Sequence, residues 1–146
     1  MRWALILSLG ILGLPGCSGT PPANLGIHNG SLSACPSSPN CVSSREDDPQ
    51  HRIAPLVYTG DPTRAFHSLQ QTLKARKDTR IIESTPEYLR VELRTLLFVD
   101  DGEFLLDKDH NVIHIRSASR IGYSDLSKNR NRMEEIRLQF ERNLQN

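Results

Sequence analysis

The sequence predicts a single α+β domain, a two-layer sandwich in which an antiparallel sheet of about four to five strands carries two amphipathic helices on one face. The chain has 146 residues, which is enough for one hydrophobic core. Two segments have apolar residues at helical spacing, and the segments between them alternate apolar and polar residues. Helices that bury one stripe and strands that bury one face fit together in this fold class.

The composition excludes two broad classes of protein. Charged residues make up 24% of the chain, and the formal net charge is +1. These values do not indicate a chain that is disordered throughout or a nucleic-acid-binding protein driven by bulk charge. We therefore expect no nucleic acid among the partners, and no cofactor is predicted.

Residues 1–16 are typical of a signal peptide, with Arg2 as a short basic start. The apolar run 4–14 would span roughly 16 Å as a helix, about half of a ~30 Å hydrocarbon core. Residues 14–17, Leu-Pro-Gly-Cys, resemble the lipobox of bacterial lipoproteins, in which the cysteine is acylated, for example with palmitate, and becomes the N-terminus. We therefore predict lipidation of Cys17. A secretory signal cleaved nearby and an uncleaved anchor are the alternatives.

A lipidated Cys17 predicts a membrane partner and a location on the periplasmic side of the cell envelope, because several acyl chains make attachment effectively permanent. Ser18 is not the aspartate of an inner-membrane retention signal, which favours the outer membrane over the inner membrane. Residues 17–33 are rich in Gly, Ser, Pro and Asn and predict a flexible tether of roughly 20 to 25 Å. The folded domain is expected over residues 34–146.

Cys35 and Cys41 are the two cysteines that remain once Cys17 is acylated. In an oxidising compartment they predict a disulfide, which the chain-entropy model values at about 2 kcal/mol for so small a loop. A zinc site would need two further ligands. His51 and Asp47 are available, but no paired spacing supports them, so no metal is predicted.

Two helices follow from local signals. Asp61 and Pro62 supply a cap and a first-turn proline, and the helix is predicted to end near Lys77. Its apolar stripe consists of Ala65, Phe66, Leu69 and Leu73, with His67 on the solvent side. The second helix is predicted over residues 126–144, with a stripe of Leu126, Met133, Ile136, Phe140 and Leu144.

The strands are predicted from alternation between turn residues. An edge strand interrupted by Pro55 is expected over residues 53–58. The clearest alternation predicts a long strand over residues 88–99, followed by a turn at Asp100-Asp101-Gly102. The remaining strands are predicted over residues 79–83, 103–108 and 111–119, with a turn at residues 109–111.

Two separate motifs resemble one protein family. The segments CPSSPNCVSS at residues 35–44 and RSASRIGYSDLSKNRNRMEEIR at residues 116–137 resemble the bacterial and plastid family described as domain of unknown function 1499, DUF1499. The segment FVDDGEF at residues 98–104 is similar to that family's hairpin, and the likeness covers residues 33–143. The resemblance implies an exported, membrane-associated module. It implies no established reaction, cofactor, ligand or catalytic residue.

A basic sheet face is the candidate binding site. If the helices cover the face that carries Leu89 and Ile113, the opposite face carries Arg90, Arg94, His114, Arg116 and Arg120. Guanidinium groups bind carboxylates and phosphates bidentately, and Arg130 and Arg132 would extend the rim. We therefore expect this open face to bind an anionic small molecule, a lipid headgroup or an envelope protein. The alternative is a solvated charged face without a ligand.

These observations favour a non-enzymatic binding module. The alternative is an envelope enzyme resembling a serine hydrolase, for which Ser117, Ser119, His114 and Asp125 supply the residue types. His114 and Ser117 point to opposite faces of a strand, and a Gly-x-Ser-x-Gly motif is missing, so no catalytic residue is predicted. A structural or assembly role in an envelope complex is a third possibility. A further group of acids, typical of a solvated turn more than of a cation site, consists of Asp100, Asp101, Glu103 and Asp107.

Overall fold

The computed structural model of the protein describes residues 19–145, so the predicted signal peptide and Cys17 lie outside the described residues. Ten elements follow one another in this part of the chain. They are β1 (Ile27–His28), β2 (Ser31–Leu32), β3 (Cys41–Ser43), β4 (Leu56–Val57), α1 (Pro62–Ala75), β5 (Thr79–Ser84), β6 (Tyr88–Arg94), β7 (Val99–Asp107), β8 (Val112–Ser119) and α2 (Lys128–Gln145). The predicted α+β class is confirmed. Within residues 19–145, no helix has the length and apolarity needed to cross a bilayer.

The main sheet has six strands. Five of them follow the order β3-β8-β7-β6-β5, with each neighbouring pair antiparallel, and the sixth, β4, lies beside β8. The short strand β4 pairs with the start of β8, while β3 pairs with the end of β8. The sheet thus has one strand more than predicted. The additional strand is β3, which lies in a segment that was expected to be coil.

The first helix begins where the sequence predicts. The Asp61 carboxylate accepts a hydrogen bond from the backbone N–H of Arg64 at 2.7 Å, and Pro62 opens the first turn. The predicted apolar stripe from Ala65 to Leu73 is buried, and His67 is exposed.

The second helix begins two residues later than predicted, at Lys128. Leu126 and Ser127 have φ angles of 52° and 62°, which lie in the left-handed region and cannot continue a right-handed helix. Asp125 Oδ2 accepts a hydrogen bond from the backbone N–H of Asn129 at 2.8 Å. Leu126 was expected on the buried stripe, but it is 89% exposed.

One apolar core connects the sheet with both helices. The strands contribute alternate residues, and each helix contributes the stripe that faces them. The largest members include Leu89, Phe104, Ile113 and Ile115 from the strands, Phe66 and Leu69 from α1, and Met133, Ile136 and Phe140 from α2.

The hairpin between β6 and β7 turns at residues 95–98 and not at residues 100–102 as predicted. The hydroxyl of Thr95 accepts a hydrogen bond from the Phe98 N–H at 3.0 Å, and the Thr95 N–H donates to the Phe98 carbonyl at 2.9 Å. Gly102 lies inside β7 opposite Val91, where an added Cβ would come within 2.9 Å of the Val91 Cγ2. Gly102 therefore permits close packing inside the sheet and does not form a turn.

The N-terminal segment, residues 19–34, lies over the sheet face opposite the helices. Strands β1 and β2 pair with each other, and β2 contacts β7 and β8. Gly26 N–H donates to the Glu103 carboxylate at 2.7 Å, and Leu32 is buried. This packing differs from the predicted tether over residues 17–33. Its two-residue strands are too short to show an apolar period, which is why the composition alone indicated a linker.

Candidate functional site

The five side chains of the predicted basic face do lie on one face of the sheet, but acids of β7 lie between them. In the register of β6, β7 and β8, Glu103 stands opposite Arg90 on one side and Arg116 on the other. In the pairing of β6 with β7, Asp101 stands opposite Glu92. The sequence interpretation placed Asp101 in a turn, so it missed these partners.

Arg116 and Glu103 form a buried ion pair under the N-terminal segment. Their side chains are 2% and 0% exposed, and Arg116 Nη1 donates to Glu103 Oε2 at 3.0 Å. Glu103 Oε1 also accepts hydrogen bonds from the Tyr88 hydroxyl and the Gly26 N–H, each at 2.7 Å. Burial and the hydrogen bond to Glu103 raise the pKa of Tyr88, so the hydroxyl stays protonated.

Arg120 is held by two acids of neighbouring strands. Its Nε donates to Asp101 Oδ2 at 2.8 Å, and its Nη2 donates to Glu92 Oε1 at 2.7 Å. The half-exposed Arg94 also binds Glu92. Burial alone would raise the pKa of Glu92, but the hydrogen bonds from Arg120 and Arg94 outweigh it, and the pKa of this carboxyl lies below its usual range.

The expected open cluster of arginines is therefore partly covered, and Arg94, Arg116 and Arg120 are paired with acids. The buried Nε atoms of Arg90 and Arg116 have no hydrogen-bond partner among residues 19–145. Binding of an anion at Arg90, Arg94, His114, Arg116 and Arg120 stays a prediction, and it would require the acids or the N-terminal segment to move. The two residues predicted for its rim lie elsewhere, since Arg132 binds Asp100 at 2.6 Å and Arg130 donates to the Arg52 carbonyl at 2.7 Å.

His114 belongs to a separate polar group at the other end of β8. Its Nδ1 lies 3.1 Å from the Ser44 hydroxyl, and its Nε2 lies 3.3 Å from Asp107 Oδ2. Burial lowers the pKa of His114 although the hydrogen bond to Asp107 opposes this effect. Ser44 Oγ also accepts a hydrogen bond from the Ile115 N–H at 3.0 Å, which ties β8 to the chain after β3. Sequence reasoning missed this group because Ser44 lies 70 residues before His114 in the chain.

The serines that the sequence offered for a hydrolase do not meet His114. Ser117 and Ser119 lie on the helix face, where the Ser117 hydroxyl donates to Asn129 Oδ1 and Asn129 Nδ2 donates to Ser119 Oγ at 2.9 Å. Asn129 Nδ2 also donates to Asp125 Oδ2 at 2.8 Å. These polar groups bind one another inside the fold.

A groove with an apolar lining opens at the end of the sheet where β6 ends and β8 ends. It lies between the hairpin loop 95–98 and the connecting loop 120–127 and has a volume of about 580 Å³. The apolar side chains that line it are Leu96, Leu97, Phe98, Ile121 and Leu126. This volume lies within the range of small-molecule sites, about 300 to 1,000 Å³.

The apolar side chains around this groove are unusually exposed. Leu96 is 98% exposed and Leu97 is 68% exposed, and Tyr123 in the connecting loop is 74% exposed. Six of the nine large apolar side chains that are exposed in residues 19–145 belong to these two loops. Such clusters commonly mark binding sites, because soluble surfaces rarely keep them. One sequence signal was available, since Leu96-Leu97-Phe98 interrupts the alternation of apolar and polar residues.

The connecting loop is anchored to the segment that the disulfide closes. Cys35 and Cys41 are bonded, with their Cα atoms 5.7 Å apart, as predicted. Next to Cys41, the Asn40 side chain donates to the Gly122 carbonyl at 2.5 Å, and the Asn40 carbonyl accepts from Asn129 Nδ2 at 3.1 Å. The segment 35–44 and the segment 116–137, which are distant in sequence, thus contact each other beside the groove. These contacts fix the position of the connecting loop that lines it.

The polar groups around the groove are few. Asp100 is paired with Arg132, and Asp125 caps α2. The ammonium group of Lys128 has no hydrogen-bond or ion-pair partner among residues 19–145. Lys128 is also the first residue of α2, where the helix dipole disfavours a cation. Helix stability therefore does not explain a lysine at this position.

No group of three or more potential metal ligands is found within residues 19–145. The acids considered for a cation site have other partners, since Asp100, Asp101 and Glu103 bind arginines and Asp107 binds His110 and His114.

Comparison with known proteins identifies the family. The model of the family described as "Protein of unknown function (DUF1499)" matches residues 31–140. The comparisons with curated proteins and with solved structures give no match. The matched range includes the disulfide-closed segment, the whole main sheet and the connecting loop. The chain therefore belongs to the DUF1499 family, for which no function is described.

Proposed function

We propose that this protein is a lipoprotein of the cell envelope, anchored through Cys17, and that its two-layer α+β domain is a non-enzymatic module that binds a membrane lipid. The observation that carries the proposal is the exposed apolar groove between the hairpin loop 95–98 and the connecting loop 120–127. We place the site there and not on the basic sheet face, because Arg116 and Arg120 of that face are buried and paired with acids.

The lining of the groove indicates an acyl chain as the part of the ligand that it holds. Most of the surface that lines the groove is apolar, and burial of an exposed leucine contributes about 1.5 to 3 kcal/mol. Leu126 keeps a left-handed backbone conformation while its side chain points to solvent, which costs local strain. A bound acyl chain that covers Leu96, Leu97 and Leu126 would gain the free energy of burying these side chains.

Lys128 supports a lipid over a fully apolar ligand. It lines the groove and lacks a partner among residues 19–145, so its ammonium group is available for a phosphate or carboxylate of a headgroup. The neighbouring acids Asp100 and Asp125 are already bound to Arg132 and to the start of α2. As far as residues 19–145 show, the site thus combines an apolar lining with the unpaired ammonium group of Lys128.

Photo-crosslinking tests this function. The full chain is purified from membranes and incubated with a diazirine-labelled anionic phospholipid, and crosslinked residues are mapped by mass spectrometry. We expect crosslinks within residues 95–98 and 121–126, and about a tenfold loss of labelling in Leu97→Ser/Leu126→Ser, equivalent to roughly 1.4 kcal/mol of binding free energy.

The matched control is Val57→Ser/Leu138→Ser, which removes two other exposed apolar side chains. This variant should label like the unmodified chain. Equal labelling of the groove variant and the control would overturn the proposal, and so would crosslinks spread over the whole surface.

Hydrolysis is a second candidate function, favoured by the chain of contacts from Ser44 through His114 to Asp107. A serine hydroxyl, an imidazole and a carboxylate in this order can activate a nucleophile. Ser44 also borders a polar cavity of about 290 Å³ together with Arg45 and Arg52. The competing structural role is the hydrogen bond from the Ile115 N–H to Ser44 Oγ.

A fluorophosphonate probe separates the two roles of Ser44. A hydrolase would be labelled at Ser44, and the label would be lost in Ser44→Ala. An unlabelled chain removes this candidate and leaves Ser44 with its structural hydrogen bonds.

A further inference from the structure

The N-terminal end of the described chain lies beside the groove. Gly19 packs against the end of β8, where an added Cβ would come within 2.9 Å of the Arg120 Cβ and 3.0 Å of the Ile121 Cγ2. Ile121 is one of the residues that line the groove. The polypeptide therefore enters the domain at the same end at which its apolar loops are exposed.

The distance from Gly19 to the predicted anchor is short. Cys17 precedes Gly19 by two residues, and two residues of extended chain span at most about 7 Å. The segment that was expected to act as a tether packs on the sheet from Gly26 onward, through its contacts with Glu103 and with β7 and β8. An acylated Cys17 would thus place the membrane surface within about 10 Å of Ile121 at the edge of the groove.

We infer that the domain docks directly on the bilayer that holds its anchor, with the hairpin loop 95–98 and the connecting loop 120–127 inserted into the headgroup region. This inference rests on the proposed function for the anchor at Cys17. It adds the orientation of the domain. It also makes the bilayer the partner of the apolar end, which is the end of the sheet that carries the loops 95–98 and 120–127.

The composition of the apolar end fits this partner. Leucines and Phe98 suit the acyl boundary, and the exposed Tyr123 is a residue type enriched at membrane interfaces. Lys128 has no partner among residues 19–145, and Arg94 is half-exposed at the same end, so both can approach anionic headgroups. A groove opened at this depth would receive an acyl chain without passage through water.

The opposite end of the sheet provides an internal control. Val57 is 62% exposed and pairs with Val112 at the start of β8, whereas the groove lies at the other end of this strand. Seven residues of strand separate Val112 from Ser119, which corresponds to about 23 Å at ~3.3 Å per residue. A domain docked through the groove therefore holds Val57 away from the bilayer.

The test uses single tryptophans in the full chain, reconstituted through its own anchor into vesicles of phosphatidylcholine and phosphatidylglycerol. Trp3 is the only native tryptophan and lies in the predicted signal peptide, so the chain acylated at Cys17 lacks it and each variant carries a single tryptophan. We expect Leu97→Trp to emit at shorter wavelength in vesicles and to be quenched several-fold more by acyl-brominated lipids than Val57→Trp. Both variants carry the same anchor, so the difference reports orientation alone.

A longer linker distinguishes docking from mere tethering. Ten Gly and Ser residues inserted between Cys17 and Gly19 should leave the quenching of Leu97→Trp largely unchanged if the loops bind the bilayer themselves. Equal quenching at Leu97 and Val57, or loss of quenching with the longer linker, would overturn the inference. A blue shift that depends on protein concentration and not on lipid would also overturn it and would identify a second copy of the chain as the partner.

The outcomes also separate this inference from the proposed function. Lipid crosslinked in the groove without bilayer quenching at residue 97 leaves the binding module and removes the docked orientation. Quenching without crosslinks inside the groove supports docking and removes the lipid-binding groove. Absence of an acyl group on Cys17, seen by mass spectrometry of the intact chain, removes the anchor on which both rest.

Discussion

Arg116 and Glu103 form a buried ion pair whose contribution to stability can be measured. Both side chains are almost fully buried. The Glu103 carboxylate accepts three hydrogen bonds, whereas Arg116 Nε has no partner among residues 19–145. Replacing Arg116 by methionine leaves the Glu103 carboxylate buried without its cation, so we expect Arg116→Met to lower the free energy of unfolding by about 3 to 5 kcal/mol in urea titrations. The double variant Arg116→Met/Glu103→Leu should lose less. A loss no larger than that of the exposed control Arg80→Met would contradict this assignment.

Glu92 makes the free energy of unfolding depend on pH in the acidic range. Its hydrogen bonds with Arg120 and Arg94 lower its pKa in the folded state, so the unfolded chain binds the proton more readily. The contribution of Glu92 is therefore complete above the unfolded pKa, about 4.3, and is lost as the pH falls through the lower folded pKa. Unfolding free energies measured from about pH 7 to about pH 3 should fall less steeply in Glu92→Gln than in the unmodified chain. The exposed control Glu141→Gln should keep the original slope, and parallel curves for Glu92→Gln would exclude this role.

At the scale of elements, Gly102 allows side chains of β6 to pack closely against β7. An added Cβ would meet Val91 Cγ2 at 2.9 Å and Leu93 Cδ1 at 3.0 Å, so Gly102→Ala should destabilise the sheet by about 1 to 3 kcal/mol through overpacking. The second change Val91→Ala should restore part of this loss by making room. Thermal unfolding of the two variants checks the pair. A turn glycine would show no such rescue, because its cost would come from the backbone and not from Val91.

The same elements show what the sequence could and could not predict. The helix that starts at Asp61 was predictable because its cap, its proline and its apolar stripe are all local signals. Strand β3 was not, since three residues are too few for a period, and the Asp-Asp-Gly triplet imitates a turn while Gly102 serves packing. The groove was beyond local patterns. It forms where two distant loops meet, and Asn40 holds one of them from a third segment.

At the scale of the whole molecule, the acidic and basic side chains of the sheet are neighbours in space. The chain has nearly equal numbers of basic and acidic residues, with a formal net charge of +1, and in the sheet acids of β7 lie between the arginines of β6 and β8. The N-terminal segment packs over this network through the hydrogen bond from Gly26 to Glu103. The ion pairs of this face connect neighbouring strands, and the apolar groove lies at the end of the sheet. The start of the N-terminal segment lies at that end too, since Gly19 packs against Arg120 and Ile121.

The role of the N-terminal segment can be tested with two apolar residues of its hairpin. Leu32 is 5% exposed, whereas Ile27, its partner on the neighbouring strand, is 47% exposed. If the segment covers the sheet, Leu32→Ala should lower the free energy of unfolding by about 2 to 4 kcal/mol, because it removes a buried side chain and leaves a cavity. Ile27→Ala should change it by less than about 0.5 kcal/mol. A flexible tether predicts a negligible change for both variants, so urea unfolding of this pair distinguishes a segment that completes the fold from one that only connects it to the membrane.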